Sequence, residues 1–265
     1  MNLETIQYSV NDGVALITLD RVHRHNAINT IMNRELPQVW SAFEHDPKAI
    51  VAIITGAGSK AFCSGADVDD VPEPDLSSKA AAEASMKWTS RQNAVWKPVI
   101  CAVNGLTNGG GLHFVADSDI VLAADNAVFF DSHVNIGLVS GLESVGLARR
   151  ISIEAVLRMA LVGAKDHMSA ERALQCGLVG EVVERDRLLD RAFVIAAMML
   201  ENSPTAMART KRAIWAAKDH SLSDASDYAW DLIIENSEGG DFDEGVRAFG
   251  EKRTPRWQPY KPYAR

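Results

Sequence analysis

Val99-Ile100-Cys101-Ala102-Val103-Asn104-Gly105-Leu106-Thr107-Asn108-Gly109-Gly110-Gly111-Leu112-His113 runs from a short apolar segment through a glycine-rich stop to a histidine. An apolar run of this length bounded by turn residues reads as a strand covered on both faces. Most glycines simply make turns. Three in a row ahead of a helix start are better read as a binding loop, because glycine lets bare backbone approach a ligand and a helix start presents free N–H groups. The pattern has a counterpart upstream, where the run Ile50–Thr55 is followed by Phe62-Cys63-Ser64-Gly65-Ala66-Asp67. Two such loops at neighbouring strand ends can aim two main-chain N–H groups at one oxygen, the arrangement of an oxyanion hole.

Around these stretches, Thr5–Val10 and Val14–Leu19 flank Asn11-Asp12-Gly13 and predict a hairpin. Asn29 or Thr30 caps a predicted helix carrying Leu36, Val39, Trp40 and Phe43, with a late start or a kink expected at Pro37. The alanine-rich stretch Ser78–Trp96 predicts a helix ended by Pro98. A short helix near Leu112–Ala116 and strands at Ile120–Ala124 and Ala127–Phe130 follow. Beyond Leu142 the pattern is mostly helical, broken by a strand-like piece at Leu178–Val183. Its last helices are expected at Ser203–Lys218, Leu222–Asn236 and Asp243–Lys252. Strands alternating with helices, then helices alone, indicate an α/β core over residues 1–200 and a helical region over 201–265.

The 265 residues carry a formal net charge of -8, which argues against nucleic acid as a partner, since phosphate binding needs clustered Lys and Arg. The three cysteines form no CxxC pair and suit a reducing compartment. No apolar run approaches the ~20 residues of a membrane span. The N-terminus lacks the basic and apolar regions of a secretory signal, so a cytoplasmic location is expected.

Gly56-Ala57-Gly58-Ser59-Lys60-Ala61 mimics a dinucleotide fingerprint, but it runs into Phe62-Cys63 and two prolines instead of opening a helix. Ser64-Gly65 lacks the elbow of a serine hydrolase, and Cys63 is better read as a buried thiol than as a nucleophile. No HxxxH or Cys/His cluster appears, and no metal is expected. The titratable groups nearest the loops are His113 and His133. Asp117, four residues after His113, is spaced to share its helix face and hydrogen-bond to it, although a solvated or capping aspartate is the more common role at such a position. Glu143 and Asp131 are further carboxylates in this stretch.

At these residues the chain resembles the crotonase superfamily, the enoyl-CoA hydratase/isomerase family. The likeness runs through Leu19-Asp20-Arg21, Asn26-Ala27-Ile28-Asn29, Ala61–Asp67, Pro98–Gly105 and Gly109-Gly110-Gly111. It continues in Ser118–Ala123, Ile136–Val139 and Ala170–Val179, and so covers nearly the whole chain in order. The resemblance implies a ββα-spiral core and a C-terminal helical region that builds trimers, commonly stacked as hexamers. It also implies an acyl-CoA substrate, with coenzyme A as part of that substrate and no separate cofactor. By position, Ala66 and Gly110 carry the two N–H groups for the thioester oxygen. Arg24, Asp67, Val68, Gly109, Phe249 and Lys252 (with Arg253) are the implied contacts to substrate and CoA.

One departure stands out within the resemblance. Hydratases carry one glutamate just after the glycine triplet and another about twenty residues later. The matching positions here hold His113 and His133. Imidazole, with an ordinary pKa near 6.5, serves as base or acid around neutrality. Three functions follow. The two histidines replace the glutamates in hydrating, dehydrating or isomerising an enoyl-CoA, with Asp117 and Glu143 in support. Alternatively, a histidine activates water to hydrolyse or decarboxylate a β-keto, diketo or acyl-CoA substrate. The third option is a CoA-binding protein without chemistry.

Overall fold

A computed structural model describes residues 1–262. Its frame is a six-stranded sheet in the order β1(Ile6–Asn11), β2(Val14–Leu19), β3(Val51–Gly56), β5(Val99–Val103), β7(Ile120–Ala124), β10(Glu181–Val183). All neighbours pair parallel except β1 with β2, joined by the expected hairpin, where Asp12 and Gly13 both take positive φ. The continuous apolar runs are explained by burial on both faces. Val51, Ile53, Ile100, Ala102 and Leu122 pack on Leu188, Ala192 and Ala196 of α7(Leu188–Leu200). The alternate residues, Ala52, Ile54, Cys101, Val103 and Val121, join the main core. There Leu36, Val39, Trp40 and Phe43 of α1(Thr30–His45) also lie.

A second, four-stranded sheet has the order β4(Ala61–Cys63), β6(Leu106–Asn108), β8(Val128–Phe130), β9(Met168–Ser169). The two sheets are wound from one repeating unit. Strands β3, β5 and β7 of the large sheet are each followed directly by β4, β6 and β8 of the small one. Each small strand then leads to a helix, namely α2(Lys79–Ser85), α3(Gly111–Asp117) and α4(Leu142–Ala148). This is the ββα spiral that the resemblance implied. After α5(Ile153–Val162), α6(Ala170–Gln175) and α7, the chain ends in α8(Pro204–Ala216), α9(Leu222–Ser237) and α10(Asp241–Glu251). No helix of the described residues is long and apolar enough to cross a membrane.

Two local expectations are corrected. The helix predicted over Ser78–Trp96 stops at Ser85. The remainder turns inward, with Trp88, Thr89 and Ser90 buried and Ala94 at positive φ, so tertiary packing overrides alanine's helix preference. Helix α1 starts at Thr30 and runs on through Pro37. Its start is not delayed because Asn29 Oδ1 accepts from the Met32 N–H at 3.0 Å and caps it.

Candidate active site

Strands β4, β6 and β8 are parallel neighbours, with Thr107 facing Cys63 on one side and Phe129 on the other. Adjacent strands lie about 4.8 Å apart, so the loops that leave them emerge side by side. These are Ser64-Gly65-Ala66, Gly109-Gly110 and Asp131-Ser132-His133. The middle loop holds the outer two: Asn108 Nδ2 donates to Ser64 O at 3.1 Å and to Ser132 Oγ at 2.9 Å. Ala66 pairs with Ile28 through its neighbours, Ile28 N–H donating to Gly65 O and Asp67 N–H to Ile28 O, both at 2.8 Å. In a parallel bridge of that kind the residue's own N–H points to the opposite edge. Gly110 is the N-cap of α3, so its N–H belongs to the helix end and is not used within the helix.

Packing explains the glycines. A Cβ on Gly65 (φ +93°) would lie 3.0 Å from Asn108 O and 3.2 Å from Gly110 N. On Gly111 it would sit 2.3 Å from Cys63 O, and on Gly110 2.7 Å from Trp88 Cζ3. Gly109 lies against the imidazole of His133, 3.2 Å from its Cε1 by the same measure. The triplet is thus the seam where the first loop, Trp88 and His133 meet the start of α3.

His113, on α3, is buried edge-on to Trp88, with ring centroids 5.7 Å apart at 85°. His133 lies on the short 3-10 turn after β8. Glu143, in the first turn of α4, stands between them: its Oε2 is 3.3 Å from His113 Nε2, and its Oε1 is 3.0 Å from His133 Nδ1. The same Nδ1 is 2.8 Å from Asp131 Oδ1, which also accepts the His133 backbone N–H at 2.8 Å. Asp131 Oδ2 accepts from Ser140 Oγ at 2.7 Å, and Ser140 Oγ is 2.5 Å from Ser144 Oγ. Two buried carboxylates therefore face two imidazoles.

The electrostatics follow from this contact set. Hydrogen bonding to Asp131, then to Glu143, pushes the His133 pKa up to about 10 against the opposing effect of burial. Burial alone would raise both carboxyls. Hydrogen bonds from His133 and Ser140 outweigh it at Asp131, and those from His113 and His133 outweigh it at Glu143, leaving both below their ordinary values. His133 is thus an imidazolium at neutral pH, with Nδ1–H spent on carboxylates and Nε2–H left to donate. Asp131, His133 and Glu143 each bring one ligand atom within 4.8 Å of the other two, a set that could hold a cation. In this geometry a proton on Nδ1 satisfies both carboxylates.

Other expected residues fall elsewhere. Asp117 does not pair with His113, because its Oδ2 accepts the Thr89 hydroxyl at 2.5 Å. The side chain of Asp67 turns to Arg21 (2.8 Å) and Arg24 (3.2 Å), and Arg24 also bonds Asp69, so Arg24 is already occupied by two carboxylates. Val68 is exposed at the mouth of the first loop. Phe249 is 88% exposed, and Lys252 stands at the C-cap of α10. Phe249 lines a groove of about 1020 Å³ that reaches Pro98 and Asp119, just ahead of β5 and β7. Cys63 is fully buried and its thiol is pushed up to about 12 by burial, which removes it as a nucleophile. The mimic of a dinucleotide loop is a turn pinned by asparagines: Asn26 Nδ2 donates to Ala57 O and Asn104 Nδ2 to Gly58 O. Sequence reasoning missed Trp88, Ser140 and Ser144. It gave Asp131 no role either, although the spacing Asp131-x-His133 was a usable signal.

Residues 9–260 match the sequence model of the enoyl-CoA hydratase/isomerase family. The chain belongs to this family. Relatives include the (E)-benzylidenesuccinyl-CoA hydratase of Thauera aromatica, 33% identical over 96% of this chain and 98% of that protein. The mevalonyl-coenzyme A hydratase of Aspergillus fumigatus is 35% identical over 94% and 92%. An enoyl-CoA hydratase/isomerase of known structure from Mycobacterium paratuberculosis is 40% identical and superposes with a TM-score of 0.90, covering 98% of this chain and all of that one. This enoyl-CoA hydratase/isomerase family member has the ββα spiral, with His113 on α3 and His133 on the turn after β8 beside its glycine loops.

Proposed function

We propose that this protein binds an acyl-CoA thioester and adds water to, or removes it from, an enoyl-CoA. The observation that carries this reading is the placement of Glu143 between His113 and His133, beside the loops bearing the Ala66 and Gly110 N–H groups. The thioester oxygen accepts from those two N–H groups. His113, held through Nε2 by Glu143, takes a proton from water on Nδ1, and the oxygen of that water bonds to the β-carbon. The C=C electron pair moves toward the thioester oxygen as an enolate, which the N–H pair stabilises. The His133 Nε2–H then protonates the α-carbon, and dehydration is the reverse. No group beyond coenzyme A, carried by the substrate, is needed. Among the implied CoA contacts, Arg24 would have to exchange its carboxylate partners for a phosphate.

A second reading is favoured by the standing charge on His133. A water activated by His113 attacks a carbonyl of a β-dicarbonyl substrate, the C–C bond breaks, and His133 protonates the released enolate. Incubation with crotonyl-CoA separates the two. Loss of the conjugated absorbance, with a product heavier by one water, is expected. No change with any enoyl-CoA, together with cleavage of a β-ketoacyl-CoA, would overturn hydration in favour of hydrolysis. Exposed apolar residues on α9 and α10 (Trp230, Ile233, Phe242, Val246, Phe249) support self-association, and light scattering is expected to report a trimer or hexamer.

A further inference from the structure

Trp88 touches both halves of the site. Its Cζ3 is 2.7 Å from where a Cβ on Gly110 would stand, and its ring meets that of His113 edge to face. We infer that the Trp88 indole is the end wall of the acyl site and restricts this protein to short acyl groups. The inference rests on the acyl-CoA reading above. A thioester with its oxygen at Gly110 and its β-carbon at His113 directs the rest of its acyl group at the indole.

The ring is clamped from several sides. Its Nε1–H donates to Asn33 Oδ1 at 2.5 Å, and its main-chain carbonyl accepts from Trp40 Nε1–H at 2.7 Å. Its main-chain N–H and that of Thr89 both donate to Gln92 Oε1, at 2.9 and 3.0 Å. The Thr89 hydroxyl fastens the segment to Asp117 on α3. A rotation of the indole away from an incoming chain would break the bond to Asn33 and leave a buried donor without a partner. Asn33 in turn donates to Ser85 O, the last residue of α2, a helix with no buried residues.

The test is calorimetric titration of the full chain with two saturated ligands that cannot turn over, butyryl-CoA and lauroyl-CoA. Trp88→Ala is expected to raise the lauroyl-to-butyryl affinity ratio by about tenfold or more, the worth of about two newly buried methylene groups. Trp88→Phe keeps a ring against Gly110 and is expected to shift the ratio less. Should Trp88→Ala fail to fold, Trp88→Leu carries the same comparison. An unchanged ratio in a folded variant that still binds butyryl-CoA would overturn the wall while leaving the acyl-CoA reading in place. A wild-type chain that binds neither ligand overturns that reading, and the wall with it.

Discussion

The glycine loops and the histidine cluster lie side by side, yet they are built on different principles. The loops are held by main-chain atoms in contact: Gly65 on Asn108 and Gly110, Gly111 on Cys63 O. The cluster is held by side chains that reach across gaps from α3, the turn after β8 and α4. A change in the first region is expected to disturb the fold itself, and a change in the second to act mainly on the protonation of the imidazoles.

The largest effect is expected in the loops. Gly111→Ala places a methyl group 2.3 Å from the Cys63 carbonyl oxygen, a contact that only backbone movement can relieve. A loss of roughly 3 kcal/mol or more is expected, read as a lower melting temperature and loss of ligand binding together. If Gly111→Ala melts like wild type, the contrast between the two regions is broken. Next, Glu143→Gln removes the charge shared by both imidazoles. Turnover is expected to fall roughly a hundredfold or more, with butyryl-CoA affinity retained, and equal losses of binding and turnover would instead mark Glu143 as part of the frame.

Asp131→Asn sharpens the cluster further. The His133 pKa of about 10 keeps its Nε2 proton in place well past neutrality, so the alkaline limb of kcat/KM is expected near that value. In Asp131→Asn the limb moves toward neutral pH, and an unmoved limb would exclude His133 as the donor. The stability consequence has a definite sign. A raised pKa stabilises the fold fully below the ordinary histidine value, and that contribution declines as pH rises from there to about 10. Replacing His133 with Gln is expected to flatten this decline in urea titrations at pH 6 to 10. The smallest effect is expected for Arg24→Ala. Its ion pairs are partly exposed and Asp67 keeps Arg21, so the melting temperature should stay close to that of the wild type.

The longest strands and the hairpin were legible because continuous apolar runs and Asp-Gly are local signals. Strand β8 was legible too, as Ala127–Phe130, but β4 and β6 were not, since three residues carry no measurable period, yet the order of all three is what lines up the site loops. Ala66, Gly110, His113 and His133 could be named from motif positions. That Glu143 stands between the histidines could not, because the pairing depends on where α4 begins after the turn at Gly137 and Gly141. Asp117 was misjudged for a complementary reason. Helical spacing allowed a bond to His113, but the segment around Thr89, expected to be helical, folds inward and claims the carboxylate.

The chain from Asp67 to Pro98, which carries α2 and Trp88, links one turn of the spiral to the next. It runs from just beyond the bridge between Ala66 and Ile28 to the residue before β5. Doubling such a connection costs only about 0.6 kcal/mol in closure entropy. Insertions here are therefore expected to move Trp88 while the three site loops stay in register, which makes this link the natural place to graft a new ligand preference onto an unchanged centre.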